Sequence, residues 1–168
     1  MTLVTHLVRY FRKPFIINHL DQKWKILDLG CGDLWLTKYL RKLNYNVVGI
    51  DKSLDAKYPY TIECDANNLP FDDNSFDCVL MVEVVEHINP KTAYSEIRRV
   101  LKPNGKIIVT TPNPKFEWFI ELLKKLRIVK YHGSPHINTI YLDELPFELI
   151  TKFNMFLIDQ VGFYVNEK

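Results

Sequence analysis

Short apolar runs rich in β-branched residues alternate along this chain with segments whose apolar residues recur at helical spacing, and few folds accommodate that alternation. The runs are "KILDL" (25–29), "VVGID" (47–51), "TIECD" (61–65), "FDCVLMV" (76–82) and "GKIIVTT" (105–111). Runs of this kind suit strands buried on both faces of a parallel sheet. Between them, Leu36, Tyr39, Leu40 and Leu43 mark one helical face, and Ala93, Ile97, Val100 and Leu101 mark another that must stop before Pro103. Parallel strands joined by right-handed helical crossovers give a three-layer α/β domain whose ligands lie beyond the carboxyl ends of the strands.

The flanking segments are less regular. Val4, Leu7, Val8 and Phe11 recur at helical spacing with Arg9, Arg12 and Lys13 largely opposite, which predicts a basic amphipathic helix interrupted by Pro14. After Pro114, the residues Phe116, Phe119, Ile120 and Leu123 predict another helix; the turn-like "YHGSPHIN" (131–138) then precedes a helix expected around Leu145–Phe153 and a last strand-like run, "MFLIDQV" (155–161). With 168 residues, 47 % of them hydrophobic, one domain over 1–168 is expected. A net charge of +2 supplies no broad field toward nucleic acid. Cys31, Cys64 and Cys78 are odd in number, lack CxxC spacing and sit in or beside strand-like runs, as buried reduced thiols do. There is no apolar stretch of roughly 18 residues and no secretory signal pattern, so a cytoplasmic protein without a membrane span is expected.

The chemistry concentrates in "ILDLGCGDLW" (26–35). Gly30 and Gly32 suit a nucleotide-binding turn, but Trp35 takes the place of the third glycine in GxGxxG, which counts against a nicotinamide dinucleotide. Asp51 closes "VVGID" 21 residues after Gly30, where an acidic side chain can accept both hydroxyls of a ribose. Asp65 closes "TIECD" on the side where an adenine would lie, and Asp28 stands just before the glycines, where it can orient the turn.

This combination resembles the class I S-adenosylmethionine-dependent methyltransferases of the type 11 kind. The matching stretches are "ILDLGCG", "GID", "CDANNLPFDDNSFDCVLMVEVVEH" and "RVLKPNGKIIVTTPNP", and the likeness runs from Lys25 to Gly162. The resemblance implies a three-layer Rossmann-like fold with a mostly parallel sheet and S-adenosyl-L-methionine as cofactor. It implies a cofactor site of Asp28, Gly30, Cys31, Gly32, Asp51, Lys52, Asp65, Ala66 and Val82, covered by the N-terminal segment 1–20. A sulfonium cofactor carries no phosphate, so a glycine-rich anion nest is less needed. The third glycine of the family's usual GxGxG is Leu34 here, beside the expected methionine end of the cofactor. The family's sheet usually ends in an antiparallel sixth and seventh strand. With one strand-like run left after the fifth, this chain is expected to lack the last strand and to expose an edge open to a homodimer.

Methyl transfer is an in-line displacement, in which a protein supplies alignment, a dry site and sometimes a base or a metal. "EVVEH" puts Glu83, Glu86 and His87 at i, i+3 and i+4, which on one helical turn face the same way. Two readings stand. Joined by His136, or by His132, the cluster resembles the ExxEH element of metal-dependent O-methyltransferases and holds Mg²⁺ or another divalent ion against vicinal hydroxyls. Alternatively these side chains pin the loop, and His136 or His87 is the candidate general base. The expected acceptor is an oxygen, or else a nitrogen, of a small molecule. The alternatives are an RNA 2′-hydroxyl, served by a basic rim of Arg9, Arg12, Lys13, Lys124, Lys125, Arg127 and Lys130, and an inactive binding protein of the same fold.

Overall fold

Seven strands form one sheet in the computed structural model, which describes residues 3–54, 58–113, 142–155 and 159–166 together with Trp118, Leu122 and Lys125. They are β1 (Lys25–Leu29), β2 (Asn46–Asp51), β3 (Thr61–Glu63), β4 (Phe76–Val82), β5 (Leu101–Pro112), β6 (Glu148–Met155) and β7 (Asp159–Val165), in the spatial order β3-β2-β1-β4-β5-β7-β6. The first five are parallel, whereas β7 runs antiparallel to both β5 and β6. Three helices are described: α1 (Leu3–Ile17), α2 (Trp35–Lys42) and α3 (Pro90–Val100). No helix among the described residues is long and apolar enough to cross a membrane.

The period of two along the strands divides the core into two layers. Val79 and Met81 of β4 face one cluster with Ile97, Val100, Ile107, Val109 and Tyr164, while Cys78, Leu80 and Val82 face the other with Ile16, Leu36, Leu40, Val47 and Phe163. The thiols of Cys31 and Cys78 are buried and that of Cys64 is half-buried, and all three are free. At the start of α3 the Asn89 side chain accepts the Lys91 N–H at 3.1 Å and Pro90 occupies the first turn, a standard polar cap with a preset φ.

Two expectations about elements are corrected. Residues 148–155 form strand β6 rather than a helix, and "MFLIDQV" is divided between the end of β6 and the start of β7, so the sheet has its last strand and β5 is covered by β7. In "ELITKFNM" the apolar positions fit either period. Pairing with β7 decides the matter: Leu149 packs on the core and Ile150 is exposed. The place beside β5 is therefore filled by β7, and the sheet ends on β6. The second correction is that α1 passes through Pro14 to Ile17 instead of stopping, and the Pro14 carbonyl accepts the Asn18 N–H at 3.0 Å. Of the helix expected after Pro114, only Trp118, Leu122 and Lys125 lie among the described residues, with helical backbone and exposed side chains.

Candidate functional site

The strand order reverses between β1 and β4, so the loops that follow these two strands flank the crevice of the sheet. After β1 the chain turns sharply. Gly30 and Gly32 have φ of +75° and +46°, and the N–H groups of Gly30 and Cys31 both donate to the Ile50 carbonyl, at 2.8 and 2.9 Å. A Cβ on Gly30 would lie 2.3 Å from Val84 Cγ2, so only glycine lets the β1 loop meet the β4 loop this closely. At Gly32 a Cβ would meet no atom of the described residues within 4 Å. That side of the turn faces open space.

Leu34 also holds a left-handed backbone, with φ 66° and ψ 16°, immediately before α2. The turn thus keeps glycine-like geometry without the glycine, and the Leu34 side chain is only 3 % exposed. Asp28 lies beneath, 2 % exposed, and accepts the Thr37 hydroxyl at 2.6 Å, which fastens the first turn of α2 to β1. Asp51, at the end of β2, accepts the Gly32 N–H at 2.8 Å through one carboxylate oxygen and the Ser53 N–H at 3.1 Å through the other. Asp65 is held by the Asn67 N–H at 2.9 Å and by Lys52 at 3.2 Å, contacts that lower its pKa, and Asn67 in turn accepts the Thr92 hydroxyl. Ala66 is half-buried against the first core layer and Val82 is buried in the second. Cys31 is buried, and desolvation followed by the charges of Asp28 and Asp51 pushes its thiol up to about 12, so it stays protonated.

Burial also pushes the Asp28 carboxyl up, from 3.8 to about 6, with the Thr37 hydrogen bonds opposing it. Its folded form holds the proton more tightly than the unfolded chain, so its contribution is most favourable below about pH 4, falls as pH rises from about 4 to 6, and is level above that. The span is at most about 3 kcal/mol. Asp28→Asn is expected to abolish this slope while keeping an acceptor for Thr37. Urea midpoints measured across the window check it, and an unchanged slope in the variant counts against the assignment.

The ExxEH element does not present one face. Glu83 has φ +56° and Val84 φ −127°, so the backbone is broken before the 3₁₀ turn Val85–His87 begins. Glu83 is 41 % exposed and accepts from Arg12 at 2.7 Å. Glu86 is buried; its charge, after burial, helps raise Tyr94 to about 12. His87 is half-buried and its N–H donates to the Val84 carbonyl at 2.9 Å. No three His, Cys, Asp or Glu side chains converge on a metal site among the described residues, and His132 and His136 lie outside them. The described donors do not converge on a divalent ion, and an arginine holds Glu83.

Sequence reasoning missed the fasteners. Arg12 falls in the same helical stripe as Val8, Phe15 and Ile16, a cation on an apolar face, and that was its signal. It is 1 % exposed. Arg9 makes a two-pronged pair with Asp33 at 2.8 and 3.1 Å and lies over the Trp35 ring. Of the expected basic rim, Arg12 is buried and Arg9 is paired, while Lys124, Arg127 and Lys130 lie outside the described residues. Thr37 carried a fainter signal, a hydroxyl between Leu36 and Leu40 on the buried face of α2.

Comparison with known proteins places these features in context. A family model described as a methyltransferase domain matches residues 27–109. An uncharacterized methyltransferase of Mycobacterium bovis is 32 % identical over 138 residues, covering 76 % of this chain and 55 % of that protein. The mitochondrial ubiquinone biosynthesis O-methyltransferase of Rattus norvegicus is 37 % identical over 137 residues, covering 64 % of this chain and 40 % of that protein. The chain spans about half the length of the curated relatives it matches. Among solved structures, a SAM-dependent methyltransferase from Methanosarcina mazei superposes with a TM-score of 0.63 at 22 % identity, covering 92 % of this chain and 97 % of that one.

Proposed function

Because the chain belongs to the class I S-adenosylmethionine-dependent methyltransferases, we propose that it transfers a methyl group from S-adenosyl-L-methionine to an oxygen of a small-molecule acceptor. One observation carries the reading. The Asp51 carboxylate is drawn onto the Gly32 N–H beside a face of the turn where an added Cβ would meet no described residue within 4 Å.

The residues present fit an adenosyl donor. Asp51, oriented by two backbone N–H groups, would take the ribose hydroxyls; Asp65 and Ala66 would border the adenine; and Gly30, Cys31, Gly32 and Val82 would line the turn and the neighbouring strand end, with Asp28 holding that turn from beneath and Lys52 holding Asp65. The cofactor supplies an electrophilic methyl on a sulfonium. What the protein adds is alignment and exclusion of water, and α1 contributes by joining the β1 loop through Arg9 and the β4 loop through Arg12. His87, on the turn after β4, takes the acceptor's proton in this scheme, with His136 as the other candidate. The oxygen acceptor is supported by the relative from Rattus norvegicus, a ubiquinone biosynthesis O-methyltransferase.

Calorimetric titration with S-adenosylmethionine and S-adenosylhomocysteine tests the proposal. Binding is expected for the native chain, and Asp51→Ala is expected to weaken it about 100-fold or more, the loss of two hydrogen bonds to a charged acceptor. Absence of heat from the native protein, or an Asp51→Ala variant that binds as tightly, overturns it.

A further inference from the structure

We propose that the outer face of α2, together with the segment entering β3, is a docking surface for single-stranded nucleic acid, a role distinct from the methyl-transfer site and independent of which acceptor is methylated. Positions 38, 39, 41 and 42 share one arc of α2, opposite the buried Leu36, Thr37 and Leu40. Tyr58 and Tyr60 come alongside from the chain entering β3, the edge strand of the sheet. The aromatic rings and the cations interleave. Arg41 lies flat over Tyr60 at 3.5 Å, Lys38 over Tyr58 at 5.2 Å, and Lys13 of α1 over Tyr39 at 4.4 Å, while Tyr58 and Tyr60 meet edge to face at 6.3 Å.

Three observations separate this surface from an ordinary solvated face. The first is its charge balance. Lys13, Lys38, Arg41 and Lys42 bring four cations to one surface and form no ion pair with any described residue. Glu63, the nearest acid on β3, is turned to the Leu54 N–H at 3.2 Å. Second, the Arg41 guanidinium donates no hydrogen bond to a described residue, and its Nε is sealed from water. A guanidinium held flat on a ring with unused donors is preorganised for a phosphate oxygen. Third, Tyr60 is 54 % exposed and has φ +84°, a backbone conformation unfavourable for a tyrosine. Strain of this kind at an exposed ring is characteristic of ligand-contacting positions.

Four cations beside the exposed Tyr60 ring, with Tyr39 and Tyr58 half-buried among them, match a polymer that alternates phosphates with flat bases, which stack on rings and guanidinium planes without demanding a sequence. A membrane surface would call for a continuous face of Leu, Phe or Trp beside the cations. Among the described residues here the exposed large apolar side chains are Leu43, Tyr60 and Ile62, which do not make such a face.

Fluorescence anisotropy with a labelled oligouridylate tests the proposal, using the full chain. Binding is expected to weaken with salt at a slope of log K on log salt of about −3, as for four cations on a single strand. The double variant Lys38→Gln/Arg41→Gln is expected to reduce that slope by about 1.4, and Tyr60→Gly, which also relieves the strained φ, to weaken binding about 5- to 100-fold. Binding of S-adenosylhomocysteine and the urea midpoint serve as folding controls for both. No binding, binding that these variants leave unchanged, or binding only to anionic phosphatidylglycerol vesicles overturns the assignment.

Discussion

Gly30→Ala is expected to destabilise the fold by about 3–5 kcal/mol, while Gly32→Ala, two residues on, is expected to leave stability within about 1 kcal/mol and to cost cofactor affinity instead. The contrast follows from what surrounds each position. Both have positive φ, so each alanine carries a left-handed penalty of about 1 kcal/mol. At Gly30 the added methyl would stand 2.3 Å from Val84 Cγ2 and 2.7 Å from its Cβ, so the loops after β1 and β4 would have to part. The loss is a large share of the stability of a domain of this size. At Gly32 the methyl would enter open space beside the N–H that Asp51 accepts, so it would displace a ligand rather than the protein. Urea midpoints at constant m-value measure the first effect and titration with S-adenosylmethionine the second. Gly30→Ala/Val84→Gly, which also removes the Cβ that an alanine at 84 would keep 2.7 Å away, should recover most of the steric cost, a coupling that a double-mutant cycle isolates. If Gly32→Ala binds the cofactor within about threefold of the native chain, that face of the turn is not the cofactor's.

That contrast is also a measure of what the residues alone could disclose. The doubly buried strands β1, β2, β4 and β5 and the helices α2 and α3 were legible because their apolar residues leave no competing period. In β6 the alternation Leu149–Thr151–Phe153 coexists with helical spacing, and only the ladder to β7 chooses between them. The acidic strand ends were legible as positions. Their partners were not, since Thr37 and the Gly32 N–H reach Asp28 and Asp51 through a turn whose φ angles no periodicity encodes. Leu34 illustrates the limit: a missing glycine in the pattern suggests a changed turn, yet the backbone at φ 66° retains the turn and accepts the strain. Glu83 does the same at φ 56°, and that single residue undoes the shared face expected of "EVVEH".

The second large effect concerns the pair that Glu83 makes instead. Glu83→Gln is expected to destabilise the protein by about 3 kcal/mol, whereas Arg12→Met is expected to cost about 1 kcal/mol or less. The asymmetry arises from burial. Arg12 is 1 % exposed, while Glu83 is 41 % exposed at its side chain, with 2.7 Å between Nη2 and Oε1. Neutralising the acid leaves a cation buried among Phe15, Ile16, Ile108 and Val161 with a weaker acceptor. Replacing the cation by a methionine of similar length fills the same apolar space, and the freed carboxylate can hydrate. The double variant should therefore resemble Arg12→Met alone, giving a coupling of roughly 2–3 kcal/mol by double-mutant cycle. Salt should change it little, because the guanidinium is shielded from solvent ions. Equal costs for the two single variants would show that Glu83 depends on Arg12 as much as the reverse. The order expected here means that α1 brings its own charge to the end of β4 and pairs it there with the more exposed Glu83.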